Sequence, residues 1–98
     1  MSNVANVIFD QIGGNGFAIM TGAKQFVGGA DMLQFSLPRY PGLRVNKVRI
    51  TLTPDDLYDV DFFNLRGVDC KLISQAVKVH AGDLCEIFEE HTGLYTKL

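Results

Sequence analysis

Val45-Asn46-Lys47-Val48-Arg49-Ile50-Thr51-Leu52-Thr53-Pro54-Asp55-Asp56-Leu57-Tyr58-Asp59-Val60-Asp61-Phe62 is the stretch whose reading decides the fold. Over 45–53 the apolar Val48, Ile50 and Leu52 alternate with Lys47, Arg49 and Thr51, as in a strand with one buried and one wet face. The run from Tyr58 to Phe62 alternates in the same way, and Pro54-Asp55-Asp56 between them supplies turn chemistry. An antiparallel hairpin follows. Both apolar faces must point to one side of the sheet, so the register places Ile50 opposite Val60, Arg49 opposite Asp61 and Thr51 opposite Asp59. A competing local reading makes Thr53 the cap of one helical turn, with Pro54 at its first position. Phe62-Phe63 breaks the alternation, which predicts a bulge or strand end there, with Leu65 on the other face.

Upstream of this hairpin, residues 32–37 place Leu33, Phe35 and Leu37 on one face of another strand, which Pro38 ends. Residues 38–42 hold two prolines and a glycine and read as a loop. The apolar run 16–21 reads as a short buried strand bounded by glycines, with Gly22-Ala23-Lys24 as its turn. Before it, Val4, Val7, Ile8 and Ile12 recur at helical spacing after Ser2, an N-cap residue type, and Gly13-Gly14 stops the pattern, predicting a helix over 3–12.

Downstream, Arg66-Gly67-Val68-Asp69 reads as a turn. Residues 70–80 form a strand whose facing cannot be assigned, because the alternation is poor. Leu84, Ile87, Phe88 and His91 stand at i, i+3, i+4 and i+7, opposite Glu86, Glu89 and Glu90, and Gly93 ends this last helix. The expectation is an α+β fold in one domain, 1–98: a mainly antiparallel sheet of about four to five strands, with an N-terminal and a C-terminal helix packed on one face.

Of the 98 residues, 47% are hydrophobic and 20% charged, an ordinary globular balance that excludes disordered and fibrous classes. A chain this short buries only roughly 60–65% of its unfolded surface, so association with a copy of itself or with a partner is expected. The apolar runs are far below the ~20 residues that span a bilayer, and 1–6 lack the features of a signal peptide. The expectation is a cytoplasmic chain with no membrane partner, its Cys70 and Cys85 reduced and in or near the core. The net charge of −2 is not that of a dedicated nucleic-acid binder. It is nevertheless split: 1–53 carries five basic and two acidic residues, whereas 54–98 carries four basic and nine acidic ones.

The chemistry-bearing residues fail on spacing. Gly13-Gly14-Asn15-Gly16 and Thr21-Gly22-Ala23-Lys24 suggest a phosphate loop, but Ala23 stands where its lysine belongs and Gln25 follows Lys24. Cys70, His80, Cys85 and His91 are zinc-ligand types without the close pairs that zinc sites use, and His91 reads as a hydrogen-bonded histidine at the core edge. Asp55, Asp56, Asp59 and Asp61 cluster, yet nothing beside them supplies the rest of a mechanism. No catalytic residue, cofactor or metal is assigned.

The most concentrated basic patch is Arg39, Tyr40, Arg44, Lys47 and Arg49. It puts an aromatic among cations, as a single-strand nucleic-acid binder does. The competing reading is a solvated surface in which Asp61 neutralises Arg49 and the basic ladder keeps a strand edge from pairing.

Taken together, Gly13-Gly14-Asn15 with Phe17, Met20-Thr21-Gly22-Ala23-Lys24 with Phe26, Val48-Arg49-Ile50-Thr51-Leu52 with Asp56-Leu57-Tyr58, and Ile87-Phe88 with Thr92-Gly93-Leu94 carry a resemblance over nearly the whole chain. It resembles small uncharacterised proteins encoded by bacteriophages and other mobile genetic elements. Asp61 stands where that pattern has glutamate. The resemblance implies a non-catalytic accessory protein of the bacterial host cytoplasm. Such a protein would bind a host or phage protein, one from a defence or replication system for example. The alternative is a nucleic-acid accessory protein using the basic strand and loop.

Overall fold

In the computed structural model, which describes residues 3–96, five strands form one antiparallel sheet in the order β1-β2-β3-β4-β5. They are β1 Lys24–Gly28, β2 Met32–Ser36, β3 Lys47–Leu52, β4 Tyr58–Arg66 and β5 Asp69–Val79. Two helices precede the sheet, α1 Asn3–Ile12 and α2 Gly14–Thr21, and α3 Leu84–Thr92 follows it after a 3₁₀ turn, Ala81–Asp83. This is the expected α+β fold with a helix at each end.

The central hairpin has the register that the alternation dictates, with Ile50 opposite Val60, Arg49 opposite Asp61 and Thr51 opposite Asp59. Its turn is not helical: the Thr53 N–H and hydroxyl both donate to the Leu57 carbonyl, at 2.8 and 3.1 Å. Val48, Ile50, Tyr58, Val60 and Phe62 are buried on the helix side of the sheet, beside Leu33 and Phe35 of β2. On the open side Arg49 bonds Gln34 Oε1 through Nε and Nη2, at 3.2 and 3.1 Å, and lies over the Phe63 ring. Arg49 is thus engaged by Gln34 of β2 and the Phe63 ring of β4, while Asp61 accepts from Gln75 on β5.

The irregularity expected at Phe62-Phe63 is present, and the extra residue belongs to the partner strand. Phe62 faces Ser74 and Phe63 faces Leu72, so Ile73 is left unmatched and β4 itself runs on to Arg66. A second shift sets Asp59 against both Val77 and Lys78, where Lys78 has φ 55 and its N–H reaches Asp59 Oδ1 at 3.3 Å.

The run 16–21 is the main departure from the sequence reading. It belongs to α2, a helix and not a strand. Four consecutive apolar residues fit either period. The helix wins through its ends and its β-branched residue. Gly13, at φ 126, allows the chain to turn sharply out of α1, and Gly22, at φ 75, closes α2 with its N–H on the Ala18 carbonyl at 2.9 Å. Thr21, fully buried, satisfies its hydroxyl on the Phe17 carbonyl at 2.8 Å and accepts the Ala23 N–H at 3.2 Å. Gly22-Ala23-Lys24 is thus a helix exit leading into β1.

One core lies between the sheet and the helices. Ala5, Ile8 and Ile12 of α1 are buried in it, whereas Val7 faces outward. The Ser2 cap lies outside the described residues. Phe17 sits edge-on to both Phe35 and Phe88, with ring centroids 5.3 and 4.9 Å away, which joins α2, β2 and α3. Leu84 and Phe88 are the buried stripe of α3, and Gly93 caps it at φ 75.

Tyr58 closes the far side of this core. It is 4% exposed and its hydroxyl donates to Gln11 Oε1. Burial, aided by the Asp56 carboxylate, holds its pKa above the ordinary value of 10. The folded state therefore keeps the phenol proton longer than the unfolded chain does. The stability that Tyr58 contributes is complete below the ordinary tyrosine range and is lost as pH rises through that range toward the higher folded value. In urea titrations at about pH 9 and about pH 11, the wild type should lose more stability than Tyr58→Phe does. At the lower pH, the variant should be destabilised by about 0.5–1.5 kcal/mol through its lost hydrogen bond.

Candidate functional site

The basic patch read from the sequence divides between two surfaces. Lys47 and Arg49 alternate with the buried Val48 and Ile50, so they lie on the open face of the sheet. Their strand is internal, between β2 and β4, so their charges guard no edge. Arg39 and Arg44 lie in the β2–β3 loop and line a different region, the end of the β4–β5 hairpin, together with Arg66.

The chain fixes that loop at several points. Tyr40-Pro41-Gly42-Leu43 is a turn with Pro at its second and Gly at its third position, Gly42 at φ 82, and Leu43 N–H on the Tyr40 carbonyl at 3.0 Å. The Tyr40 hydroxyl donates to the Thr21 carbonyl at 2.9 Å, so the aromatic expected to stack on bases is instead an anchor to the end of α2. Val45 is buried. Asn46 then stands in for a rung of the sheet: its Oδ1 accepts the Leu65 N–H at 2.7 Å and its Nδ2 donates to the Leu65 carbonyl at 2.9 Å. Asn64 of β4 donates in return to the Arg44 carbonyl.

Removing the Asn46 amide strands two partly buried backbone groups, each expensive to leave unpaired. Asn46→Ala should cost about 1–3 kcal/mol in urea unfolding, and amide exchange at Leu65 should accelerate with it.

The secured loop and the hairpin enclose an open groove of about 570 Å³ lined by Gly42, Leu43, Arg44, Asn64, Arg66, Asp69, Lys71 and Ile73. No helix residue is among them. Arg39 joins Arg44 and Arg66 in a smaller recess alongside. Arg66 and Lys71, which the sequence reading did not single out, complete the cationic set. They flank the two-residue turn at Gly67, and the pairing of Arg66 with Asp69 and of Asn64 with Lys71 carries them to the loop end. The only sequence signal for this was the Gly67 turn itself.

A second surface of different character surrounds α2. A groove of about 510 Å³ is lined by Ile12, Gly13, Gly16, Phe17, Ile19, Met20, Cys85 and Thr96. Ile19 is 81% exposed, Met20 36% and Tyr95, next to Thr96, 74%. The Cys85 thiol donates to the Ile12 carbonyl at 3.1 Å, which ties α3 to the end of α1.

The remaining polar groups named from the sequence are dispersed. His91 stacks on Phe62, with centroids 4.5 Å apart and planes 1° from parallel, and its Nδ1 lies 2.8 Å from Ser74 Oγ, a core-edge position. Cys70 is exposed on β5 and not in the core as expected, because the bulge at Ile73 sets it opposite Leu65, three positions from the buried Phe62 and so on the face away from the helices; both cysteines are free thiols. Asp59 and Asp61 accept hydrogen bonds from β5, and Asp55 and Asp56 are exposed in the turn. Among the described residues no group of three His, Cys, Asp or Glu could hold a metal, and no helix is long and apolar enough to cross a membrane. No protein-family model, curated protein or solved structure matches the chain.

Proposed function

We propose that the protein is a non-catalytic binding module that receives a partner protein on the outer side of α2. The observation that carries this reading is the exposure of Ile19, at 81%, with Met20 beside it on the outward side of a helix that has no charged residue. The outward side of α2 carries Asn15 beside Ile19 and Met20 and no charged residue, and large apolar side chains on a helix surface are normally covered. Here Phe17 and Thr21 face the core, while Ile19 and Met20 face outward beside an apolar groove. Exposed apolar surface of this kind marks an interaction site. Ile19 and Met20 line the groove, Met20 as an adaptable side chain of the kind used at binding surfaces. The resemblance to phage-encoded proteins directs the search for the partner to bacterial and phage proteins, and the cytoplasm to the place where they meet.

Ile19→Asp tests the reading, because a side chain so exposed can be charged without disturbing the core. The tagged wild type should retain a stoichiometric protein from nuclease-treated host lysate, and Ile19→Asp should bind that protein about 100-fold more weakly, about 2.8 kcal/mol. Undiminished capture by the variant would refute the role of α2. A dimer of the chain alone, dissolved by the same substitution in sedimentation, would replace the foreign partner by a second copy.

A further inference from the structure

The groove at the end of the β4–β5 hairpin has a composition that the chain as a whole does not share. Arg44, Arg66 and Lys71 line it and Arg39 lines the recess alongside, with Asp69 alone against them, which is four of the nine basic and one of the eleven acidic residues. The rest of the chain keeps five basic and ten acidic residues. A polyanion is therefore repelled by most of the molecule and attracted at one end, so the long-range field both selects that end and orients the encounter.

We propose that this groove binds the phosphate backbone of a single-stranded nucleic acid, independently of the α2 surface. Two of its three cations, Arg44 and Arg66, are arginines, as is Arg39 in the recess alongside, and their planar forks match phosphate oxygens two at a time. The scaffold is preorganised: Tyr40, the Pro41-Gly42 turn, Asn46 and Asn64 pin the loop backbone at both ends of the Leu43-Arg44 segment. Rigid placement lowers the ordering cost of binding. Between the cations lie the half-buried Leu43 and Ile73, a short apolar floor for sugars and base faces. The site is a recess, which admits a flexible strand; the convex flank of a duplex would meet only its rim. An acidic peptide fits less well. The Asn46 amide, which could recognise a peptide main chain, is spent at both its nitrogen and its oxygen on Leu65, and the Asn64 nitrogen donates to the Arg44 carbonyl.

Fluorescence anisotropy with a labelled oligothymidylate decides the matter, with a same-length duplex and poly-glutamate as competitors. With three to four phosphate contacts, log K should fall against log[salt] with a slope of about −2 to −3. Arg66→Glu/Lys71→Glu should weaken binding at least tenfold at low salt and reduce the magnitude of the slope by about 1.4, two contacts at ~0.7 each. Asp69→Asn should strengthen binding about two- to fivefold, a gain that a merely structural role would not produce. Lys24→Glu, an exposed cation on β1, should change little, and thermal melts should confirm that all variants are folded. Flat curves at low salt, a slope unchanged in the double variant, or equal competition by poly-glutamate would each overturn the proposal. Tighter binding of the duplex than of the single strand would overturn its single-strand form.

Discussion

Phe17→Ala should destabilise the protein by about 3–5 kcal/mol, the usual cost of emptying a buried aromatic site. Phe17 is fully buried and is edge-on to Phe35 at 5.3 Å and to Phe88 at 4.9 Å, so one truncation removes both aromatic contacts and leaves a void between two helices and the sheet. Part of the void cannot close, because Phe35 is fixed in β2 and Phe88 in α3. Against a total of about 5–15 kcal/mol for a domain, the loss is of the order of half. Urea unfolding followed by circular dichroism would measure it, and Phe17→Leu should cost clearly less because most of the volume remains. A loss below about 1 kcal/mol for the alanine variant would contradict this account of the core.

Gly22→Ala carries the second large effect, and it joins stability to the proposed nucleic-acid groove. Gly22 has φ 75, and a Cβ built there would lie 2.7 Å from Pro38 Cγ and 3.1 Å from the Tyr40 hydroxyl. The left-handed backbone costs a non-glycine residue about 1–2 kcal/mol, and overpacking adds about 1–3 kcal/mol. The total of about 2–5 kcal/mol should appear in thermal or urea unfolding. Relief of the clash moves Pro38 and Tyr40, the first fixed points of the loop that carries Arg39 and Arg44. Oligonucleotide binding should therefore weaken under conditions in which the variant is still folded. Gly16→Ala is the natural control. It sits in the same helix with nothing within 4 Å of the added Cβ, and it should stabilise the fold by about 0.4–1 kcal/mol. Opposite signs at two glycines six positions apart would separate backbone conformation from composition.

The central hairpin was legible residue by residue because each strand has one wet face. A slip by one position would bury Arg49 and Asp61, so the pairing of Ile50 with Val60 was forced. The last helix was legible for a similar reason, with Glu86 and Glu90 marking its wet side. By contrast, the exposed side of α2 carries Ile19 and Met20 and no charge, and without a polar marker the period of the apolar run 17–20 is invisible. The first strand escaped notice because β1 is an edge with Phe26 as its main inward side chain, an irregular register and Gln25 at φ 57. The facing of β5 was unreadable because Ile73 and the Val77-Lys78 pair each shift the alternation by one. At the groove, Arg39 and Arg44 were visible as a basic loop. Arg66 and Lys71 were not, since only the three-dimensional meeting of that loop with a distant hairpin brings them together. Tyr40 misled because nothing in its sequence neighbourhood reveals that its hydroxyl is engaged by Thr21.

The sheet is a meander in which every strand pairs with the next one in the chain. Such pairings close small loops, so the strands can assemble in the order in which a ribosome delivers them. The covering of the sheet does not follow that order. Phe88 belongs to α3, while the rings it packs against, Phe17 of α2 and Phe35 of β2, are made much earlier. A growing chain thus holds a paired sheet whose apolar face is partly bare until residues 84–92 emerge. During that interval it is open to association with neighbours or chaperones. Translation pauses before α3 should therefore be more harmful than pauses anywhere within the strands.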